Sequence, residues 1–440
     1  MRERLLDRRR TLLRALAAAG LLLLSCGSQE HARWNVVLVS LDTLRADGLG
    51  AGGNPDGTSP HLDRLARQGT MFALGIAQSA STLPSHRSMF QARPASLTDD
   101  AHPMLAEILR EAGWATVGFT GGGNVSAELG LGRGFDRYEE DRTGLSWAVP
   151  ELAGWLREEE REPFFAFLHS YDVHVPYDPP PPYDVLFFPE YRGSLRGADT
   201  RELCRRIRGL DGAAGEAPPD LSGPDRRKLR ALYAGGVRHA DDWIGALESV
   251  LADAAIRDRT LLVVMSDHGE EFWDHGTLLH SHTLFQELVH VPLIVRVPEH
   301  AREDRRAPLV AETVRNLDIA PTILEILGLP PVPSHDGTSL GPRLRGEAGP
   351  LLVAVSEMGK RKSLLDFPWK FILEPGGAQW HLFDLRIDPG ETRNVAGNHS
   401  ERVKAYVDAL SRLGGPVREL SPETPSTELA ERLRALGYID

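Results

Sequence analysis

The sequence has few features that would cross-link a chain, carry it through a membrane or hold it on a polyanion. Cysteine occurs twice in 440 residues, at Cys26 and Cys204. Lipid attachment at Cys26 would leave Cys204 as the only free thiol of the mature chain, which excludes an internal disulfide. Basic charge is also scarce: the net charge is −12, and the first 25 residues contribute +4, so the rest carries −16. An acidic body of this kind argues against general nucleic-acid binding.

Hydrophobic runs long enough to span a membrane are missing too. The run "ALAAAGLLLLS" behind the basic start has 11 residues, which suits the core of a signal peptide. It leads into "LLSC", which resembles a bacterial lipobox that would be acylated at Cys26, while "RRTLLR" resembles a twin-arginine signal. An uncleaved anchor and Sec export remain alternatives. We expect an extracytoplasmic protein, in the periplasm or on the outer surface, held to the membrane through a lipid on Cys26.

What is present is an alternation of short apolar runs with helical patterns, which predicts a mostly parallel sheet with helices on both faces. The predicted strands are Asn35–Leu41, Trp114–Thr120, Phe164–Ser170, Leu261–Asp267 and Pro292–Pro298. Helical patterns occupy residues 59–69, 102–113, 229–251 and 313–328. Proline and glycine predict loops from Val175 to Asp184 and at 209–224.

After about residue 345 the pattern changes to short strand-like pieces followed by an amphipathic terminal helix. This change predicts a smaller C-terminal subdomain with an antiparallel sheet. The predicted divisions are therefore a leader at 1–26, a main domain at 34–345, and a C-terminal subdomain with the terminal helix at 346–440.

Side chains capable of chemistry follow several of the predicted strands. Asp42 follows the first strand, His169 and His174 lie at the end of the third, and Asp267 with His268 ends the fourth. Because ligands of parallel α/β sheets bind beyond the carboxyl ends of the strands, these carboxylates and imidazoles predict a divalent-cation site. Singly, Asp42 could also cap a helix, and "DHG" could be an ordinary turn.

The segment "STLPSH" adds a hydroxyl to this group. Pro84 suits the first turn of a helix, so Thr82 is expected at or just before its N-cap. A capping role and a nucleophilic role both remain open here, because the helix dipole and free N–H groups that welcome a cap also stabilise an anion.

Seven segments together resemble the sulfatase family of the alkaline phosphatase superfamily. They run in order over residues 34 to 410: "NVVLVSLDTLRADGLG", "TLPSHRSMF", "HSYDVHVPYDPP", "SDHGEEFWDHG", "HSHTLFQELVHVPLIVRVP", "LDIAPTILEILGLP" and "HLFDLRIDPGETRNVA". The resemblance implies an alkaline-phosphatase-like three-layer α/β sandwich. It makes 34–345 a sulfatase-like catalytic domain.

The resemblance also implies residue roles. The metal-binding positions match Asp42, Asp267 and His268, with Thr82 at the nucleophile position and its oxygen on the same ion. The ion implied is one divalent cation, usually calcium in this family, with zinc, magnesium and manganese left open. His174 matches the histidine that protonates the leaving oxygen. The substrate-binding positions implied are His280, His86 and His169.

The departures from the family pattern concern the nucleophile. Sulfatases need Cys or Ser in C/S-x-P-S-R, because that residue is oxidised to formylglycine, whereas this chain has "TLPSH" with His86 in place of Arg. No formylglycine is expected from threonine. Thr43 replaces the second Asp of the family pair, and "GGGN" at 121–124 replaces a Lys-x-His element.

These residues predict a sulfatase-like, metal-dependent hydrolase of sulfate or phosphate esters with Thr82 as nucleophile. The expected partner is an anionic ester, namely a sulfated or phosphorylated saccharide, lipid or small molecule. Phosphoester chemistry is at least as well supported as sulfate ester chemistry, because a threonyl sulfate lacks the exit that a formylglycine hydrate has. The alternatives are a transferase of phosphate-linked headgroups and an inactive saccharide-binding homologue.

Overall fold

The computed structural model describes residues 33–141, 143–158, 162–208, 221–298, 308–376, 379–413, 415–417, 425–436 and 438. Its strands are β1 (Asn35–Leu41), β2 (Thr70–Ile76), β3 (Ala115–Thr120), β4 (Arg137–Glu140), β5 (Phe164–Ser170), β6 (Thr260–Met265), β7 (Glu271–Phe272), β8 (Leu278–Leu279), β9 (His290–Arg296), β10 (Leu309–Arg315), β11 (Ala354–Met358), β12 (Arg361–Asp366), β13 (Trp369–Leu373) and β14 (Trp380–Asp384). Its α-helices are α1 (Pro60–Gln68), α2 (Thr82–Gln91), α3 (Leu105–Glu111), α4 (Leu145–Glu158), α5 (Tyr183–Leu186), α6 (Asp199–Arg208), α7 (Gly223–Asp253), α8 (Gln286–Val289), α9 (Ile319–Ile326), α10 (Gly341–Leu344), α11 (Ser400–Ser411) and α12 (Thr427–Ala435).

The largest element is an eight-stranded sheet in the order β10-β2-β9-β6-β1-β5-β3-β4. Strand β9 runs antiparallel to its two neighbours, and the other pairings are parallel. The carboxyl ends of β6, β1 and β5 therefore meet at one edge of the sheet. The predicted α/β class with a large, mostly parallel sheet is confirmed.

Helices cover both faces of this sheet. Alternate residues of β1 point to opposite faces, as a strand requires. Val37 and Val39 join a hydrophobic cluster with α1, α4 and α7. Val36 and Leu38 join a second cluster with α2, α3, α9 and α12. The result is the expected three-layer sandwich.

A second, four-stranded sheet has the antiparallel order β11-β12-β13-β14, which confirms the predicted small antiparallel sheet. One face packs against Ile76 and Leu288 of the main body. The other face packs against Val403 and Leu410 of α11. Helix α12, which the sequence placed after this sheet, packs instead against the core of the large sheet. The domain limits at 345 and 346 stay predictions.

Several elements differ from the sequence-based prediction. Strands β2, β4 and β10 and helices α4 and α6 are among the elements that were not predicted. The helix predicted from residue 313 begins only at Ile319. The preceding residues complete β10, and Asp318 accepts a hydrogen bond from the Arg315 N–H at 2.9 Å, which closes a short turn before the helix. The Pro-rich loop ends sooner than predicted, since α5 begins at Tyr183.

The leader predicted at 1–26, with Cys26, lies outside the described residues and stays a prediction. Within the described ranges, the helices are too short or too polar to traverse a lipid bilayer.

His275 lies between β7 and β8 and contacts Phe285 and Glu287, at the start of α8. Its ring stacks on Phe285 at 3.6 Å, and its Nδ1 lies 2.6 Å from Glu287 Oε1. Burial opposes the charge, but the hydrogen bond and charge of Glu287 prevail and raise the pKa of His275 to about 9. The protonated ring of His275 therefore stabilises the folded state. This contribution is complete below the pKa that the histidine has in the unfolded chain, and it is lost as the pH rises through about 9.

We therefore expect His275→Gln to lower the free energy of unfolding most at about pH 6 and least at about pH 10. Denaturant titrations of both proteins at the two pH values measure this difference. A stability loss of equal size at both pH values would show that the ring acts by packing alone.

Candidate active site

The first cluster lies where β1 and β6 end. These strands are parallel neighbours, with Ser40 opposite Met265, so the residues that follow them share one edge of the sheet. One potential ligand atom from each of Asp42, Asp267 and His268 lies within 4.8 Å of the other two, and all three residues are buried. The sequence-based grouping of these three residues agrees with their positions in the structure.

The two carboxylates of this cluster are fully buried next to each other. Burial raises the pKa of Asp42 to about 6. Burial, followed by the neighbouring charge of Asp42, also raises the pKa of Asp267. One oxygen of each, Oδ1 of Asp42 and Oδ2 of Asp267, is buried without a hydrogen-bond partner among the described residues. Because unpaired buried charges are costly, this donor set of two carboxylates and one imidazole fits a divalent cation.

Thr82 is the first residue inside α2, and Ser81 holds the cap position, so the expected place of Thr82 at or before the cap is off by one residue. The Thr82 hydroxyl does not cap the helix. Its Oγ1 lies 3.2 Å from Nε2 of His268. Ser85, one turn further, donates its hydroxyl to the Asp267 carbonyl at 2.6 Å, which ties α2 to the end of β6. The positive end of the helix dipole therefore faces the carboxylate cluster.

His86 and His169 are buried next to the cluster and form hydrogen bonds with residues around it. His86 lies 2.9 Å from the Ser40 hydroxyl and 2.8 Å from the Thr82 carbonyl. His169 places Nε2 3.2 Å from Asp42 Oδ2, and its Nδ1 accepts a hydrogen bond from the Gly121 N–H. Burial lowers the pKa of both histidines to about 4, so both are neutral at neutral pH. Both nitrogens of each ring thus have hydrogen-bond partners within the protein, and the substrate-binding role expected of each histidine stays a prediction.

His174 and His280 line the open side of the cluster. The ring centroids are 4.9 Å apart, and that of His280 lies 4.7 Å from that of His268. His174 donates Nδ1–H to the Val175 carbonyl, so Nε2 faces the site. Burial lowers the pKa of both rings well below its ordinary value. Both histidines place Nε2 3.0 Å from the Tyr438 hydroxyl, which in turn lies 3.4 Å from Thr82 Oγ1, and the roles expected of them stay predictions.

Three residues of this site were not predicted. Glu270, whose pKa is raised to about 8 by burial, lies 2.8 Å from His280 Nδ1. Arg208, at the end of α6, places Nη2 2.8 Å from His280 Nε2. The Tyr438 hydroxyl lies 3.4 Å from Thr82 Oγ1. Glu270 could have been found from its place in "SDHGEE", whereas Arg208 and Tyr438 follow no strand and carry no such signal.

The turn after Asp42 is strained. Thr43 has a φ of 60°, which is rare for a β-branched residue, and its hydroxyl is buried without a hydrogen-bond partner in the described part of the chain. Next along the chain, Leu44 N–H donates to the Ser266 hydroxyl at 3.0 Å. Arg45 then binds Asp274 at 2.9 Å. These contacts tie the loop after β1 to the loop after β6.

A cavity of about 680 Å³ lies on the far side of His174. Its walls are mixed polar and apolar, and they comprise Thr143, Ser146, Tyr171, Asp172, His174, Val175, Pro176, Asp178, Pro179, Pro180, Arg201, His239, Ala435 and Leu436. His174 thus lines this cavity and also contacts the Tyr438 hydroxyl, which lies 3.4 Å from Thr82 Oγ1.

A second acidic group, His61 with Asp241 and Asp242, also has atoms close enough to hold an ion. Here the geometry has a structural explanation. The two oxygens of Asp241 accept hydrogen bonds from the backbone N–H groups of His61 and Leu62, at 3.0 and 2.7 Å. Asp241 thus binds the first turn of α1, and its lone pairs already have partners.

Comparison with known proteins adds the family context. The family model for sulfatases matches residues 34–329, more than half of the chain. Arylsulfatase K of Xenopus laevis is 29% identical over 195 residues, which are 40% of this chain and 35% of that protein. The multifunctional alkaline phosphatase superfamily protein PehA of Trinickia caryophylli is 29% identical over 205 residues, which are 43% of this chain and 39% of that protein. The chain thus spans well under half the length of these curated relatives.

The fold has a solved counterpart. The phosphonate monoester hydrolase of Agrobacterium radiobacter superposes with a TM-score of 0.71 at 23% identity, covering 86% of this chain and 95% of that one. At that identity the likeness shows a shared fold.

Proposed function

The chain belongs to the sulfatase family, and from this premise we propose that it is a divalent-cation-dependent hydrolase of sulfate or phosphate esters that uses Thr82 as its nucleophile. The observation that carries the proposal is the position of Thr82 Oγ1. It lies at a helix N-terminus, 3.2 Å from His268, beside two buried carboxylates that each have an oxygen without a partner among the described residues.

The residues that would hold the cation are Asp42, Asp267, His268 and the Thr82 hydroxyl. When bound, a divalent cation there would offset the carboxylate charges and lower the pKa of the attacking hydroxyl. The resemblance implies calcium, but calcium prefers oxygen ligands, and an imidazole in the donor set is better matched to Mn²⁺ or Zn²⁺. Metal content of the purified protein and reconstitution with each ion decide between them.

The chemistry proposed for this chain's own residues has two steps. The Thr82 hydroxyl gives its proton to solvent water, and its Oγ1 bonds to the sulfur or phosphorus atom while the bond from that atom to the ester oxygen breaks. A protonated His174 gives the departing ester oxygen its proton from Nε2 and is later protonated again from solvent. Water then attacks the same central atom and restores the Thr82 hydroxyl. An anionic ester next to His174 would raise the pKa of this ring, which burial lowers, and so would favour the protonated form. The leaving alcohol would occupy the cavity beyond His174.

The threonine favours phosphorus as the central atom. A formylglycine hydrate can expel sulfate by collapsing to the aldehyde, and a threonyl ester has no such route. Release must therefore come from water attack on the central atom itself, a reaction well known at phosphorus. We expect phosphate mono- or diesters, or phosphonate esters, to be better substrates than sulfate esters.

A parallel assay of the metal-loaded protein tests the proposal on an aryl sulfate, an aryl phosphate, a phosphodiester and a phosphonate ester. Hydrolysis of at least one of them that depends on both metal and Thr82 is the expected result. If the metal-loaded protein turns over none of them, the proposed function is wrong and an inactive homologue is favoured.

His174 has its own test, because a general acid matters most when the leaving group is poor. We expect His174→Gln to slow hydrolysis of an alkyl ester by roughly 10² to 10⁴-fold and that of a 4-nitrophenyl ester far less. His282→Gln is the matched control, since His282 Nε2 is held at 2.7 Å by Glu271. Equal losses on both esters would remove His174 from the role of acid.

A further inference from the structure

The third residue from the C-terminus lies at the centre of the site. The Tyr438 hydroxyl is 3.0 Å from Nε2 of His174 and 3.0 Å from Nε2 of His280. It is also 3.4 Å from Thr82 Oγ1. This residue lies outside the segment matched by the family model, which ends at 329.

The position of Tyr438 is fixed by the packing of the preceding helix, α12, against the main domain. In α12, Leu429 and Leu433 are buried in the core beside the large sheet, together with Leu436. Arg432 pairs with Glu140 at 2.9 Å, and both side chains are largely shielded from solvent. At the start of the helix, the Ser426 N–H donates to Glu128 at 2.8 Å. Apolar burial and these ionic contacts together fix the segment just before Tyr438.

The glycine loop after β3 is shaped for this helix. A Cβ added at Gly122 would lie 2.1 Å from Arg432 Nη1, and one at Gly123 would lie 2.7 Å from Leu436 Cδ1. Both glycines also have positive φ, at 65° and 60°. The "GGGN" sequence, which departs from the family pattern, thus leaves the space in which α12 packs.

Arg208 places a guanidinium against the same tyrosine. Its Cζ lies 4.3 Å from the centroid of the Tyr438 ring, a cation–π distance. Its Nη2 lies 2.8 Å from His280 Nε2. A planar guanidinium with several N–H donors is well suited to binding the oxygens of a sulfate or phosphate group.

The hydrogen-bonding pattern identifies the Tyr438 hydroxyl as a donor. His174 Nδ1 donates to the Val175 carbonyl, so its neutral Nε2 is an acceptor that faces the phenol. An ester oxygen next to Thr82 would compete with the imidazoles for the phenol proton.

We propose that Arg208 and Tyr438 form the anion clamp of this active site, donating hydrogen bonds to the non-bridging oxygens of the sulfate or phosphate group held next to Thr82. Tyr438 is then a part of the active site that the packing of α12 positions. This inference rests on the proposed function for the identity of the anionic group, and it adds the residues that bind it.

The test measures the binding of inorganic phosphate and inorganic sulfate to the full-length, metal-loaded protein by calorimetry. We expect Tyr438→Phe, which removes only the hydroxyl, to weaken the better-bound anion by roughly 10- to 100-fold. Arg208→Gln removes a charge and is expected to weaken it by about 30-fold or more. Tyr406→Phe is the matched control, because that hydroxyl binds Asp366 at 2.8 Å in the small-sheet region, and we expect no change there.

A second pair of variants tests whether anion binding depends on the position of α12 as well as on the Tyr438 hydroxyl itself. Gly122→Ala puts a methyl group against Arg432 and should displace α12, so it should weaken anion binding in the same direction as Tyr438→Phe. Gly113→Ala is its control, since Gly113 also has a positive φ, of 94°, but a Cβ there would meet nothing within 4 Å. Thermal melts establish that each variant is folded.

The outcomes are distinct. Unchanged anion affinity in Tyr438→Phe and Arg208→Gln, or no anion binding by the metal-loaded wild-type protein, would overturn the clamp. An increase of kcat/KM in Tyr438→Phe would also overturn the clamp, because it would show that the Tyr438 hydroxyl hinders the substrate. If wild-type protein binds the anions through these residues but hydrolyses no ester, the clamp stands and the proposed function fails.

Discussion

Replacing Thr82 with alanine is expected to lower kcat for the best ester substrate by about 10⁴-fold or more, the scale of losing a covalent nucleophile. The reason is geometric. Thr82 Oγ1 lies 3.2 Å from His268 and 3.4 Å from the Tyr438 hydroxyl, so it lies between the predicted metal ligands and the open side of the site. Steady-state kinetics on the purified, metal-loaded variant measure the loss.

Two control variants distinguish a nucleophilic role of the Thr82 hydroxyl from a structural role of its side chain. Thr82→Ser keeps the hydroxyl and should retain most of kcat, whereas Thr82→Val keeps the β-branched shape without it and should match the alanine variant. Metal content should be measured in all variants, since the Thr82 oxygen is also a predicted ligand. Residual activity of Thr82→Val within about tenfold of the wild type would remove Thr82 from the nucleophile role.

The second large effect concerns Asp42. We expect Asp42→Asn to remove the bound divalent cation and to lower activity by about 10³-fold or more, because a neutral amide replaces a charged ligand. Metal content by elemental analysis gives a readout that does not depend on turnover. Since burial raises the pKa of Asp42 to about 6, wild-type metal affinity should also fall as the pH drops through that value.

The stability of the metal-free protein should change in the opposite sense. A carboxyl whose folded pKa lies above its unfolded value stabilises the fold at low pH and loses that contribution as the pH rises through about 6. Metal-free wild-type protein should thus lose stability across this range, and Asp42→Asn should lose less. Added metal should restore the wild type and leave the variant unchanged. If Asp42→Asn melts at a lower temperature than the wild type in chelator at pH 8, the account of two carboxylates that repel each other until a metal binds would be contradicted.

The strand ends that carry the chemistry could be predicted because their signals are local. The buried run of β1 ends at Asp42, and that of β6 at Asp267 and His268, so parallel pairing alone brings them together. The residues of α2 were also found, although the helix begins one residue earlier than a capping threonine would require. His174 and His280 were found through the family pattern.

The remaining parts of the site depend on tertiary packing. Tyr438 reaches Thr82 over a separation of 356 residues, and its position follows from the fit of α12 against Gly122 and Gly123. Arg208 enters from the end of a short, polar helix that gave no strand-end signal. The last residues of edge strand β10 were predicted as part of a helix, whereas the structure pairs them in parallel with β2.

The stereochemical course at the transferred phosphorus or sulfur atom tests the central claim most directly. A substrate of the ester class that the protein turns over is prepared with isotopically chiral oxygens, and the configuration of the product is determined. Attack by Thr82 followed by attack by water gives two in-line displacements, so the account predicts net retention. Net inversion would mean that water attacks the ester directly, and it would contradict Thr82 as the nucleophile.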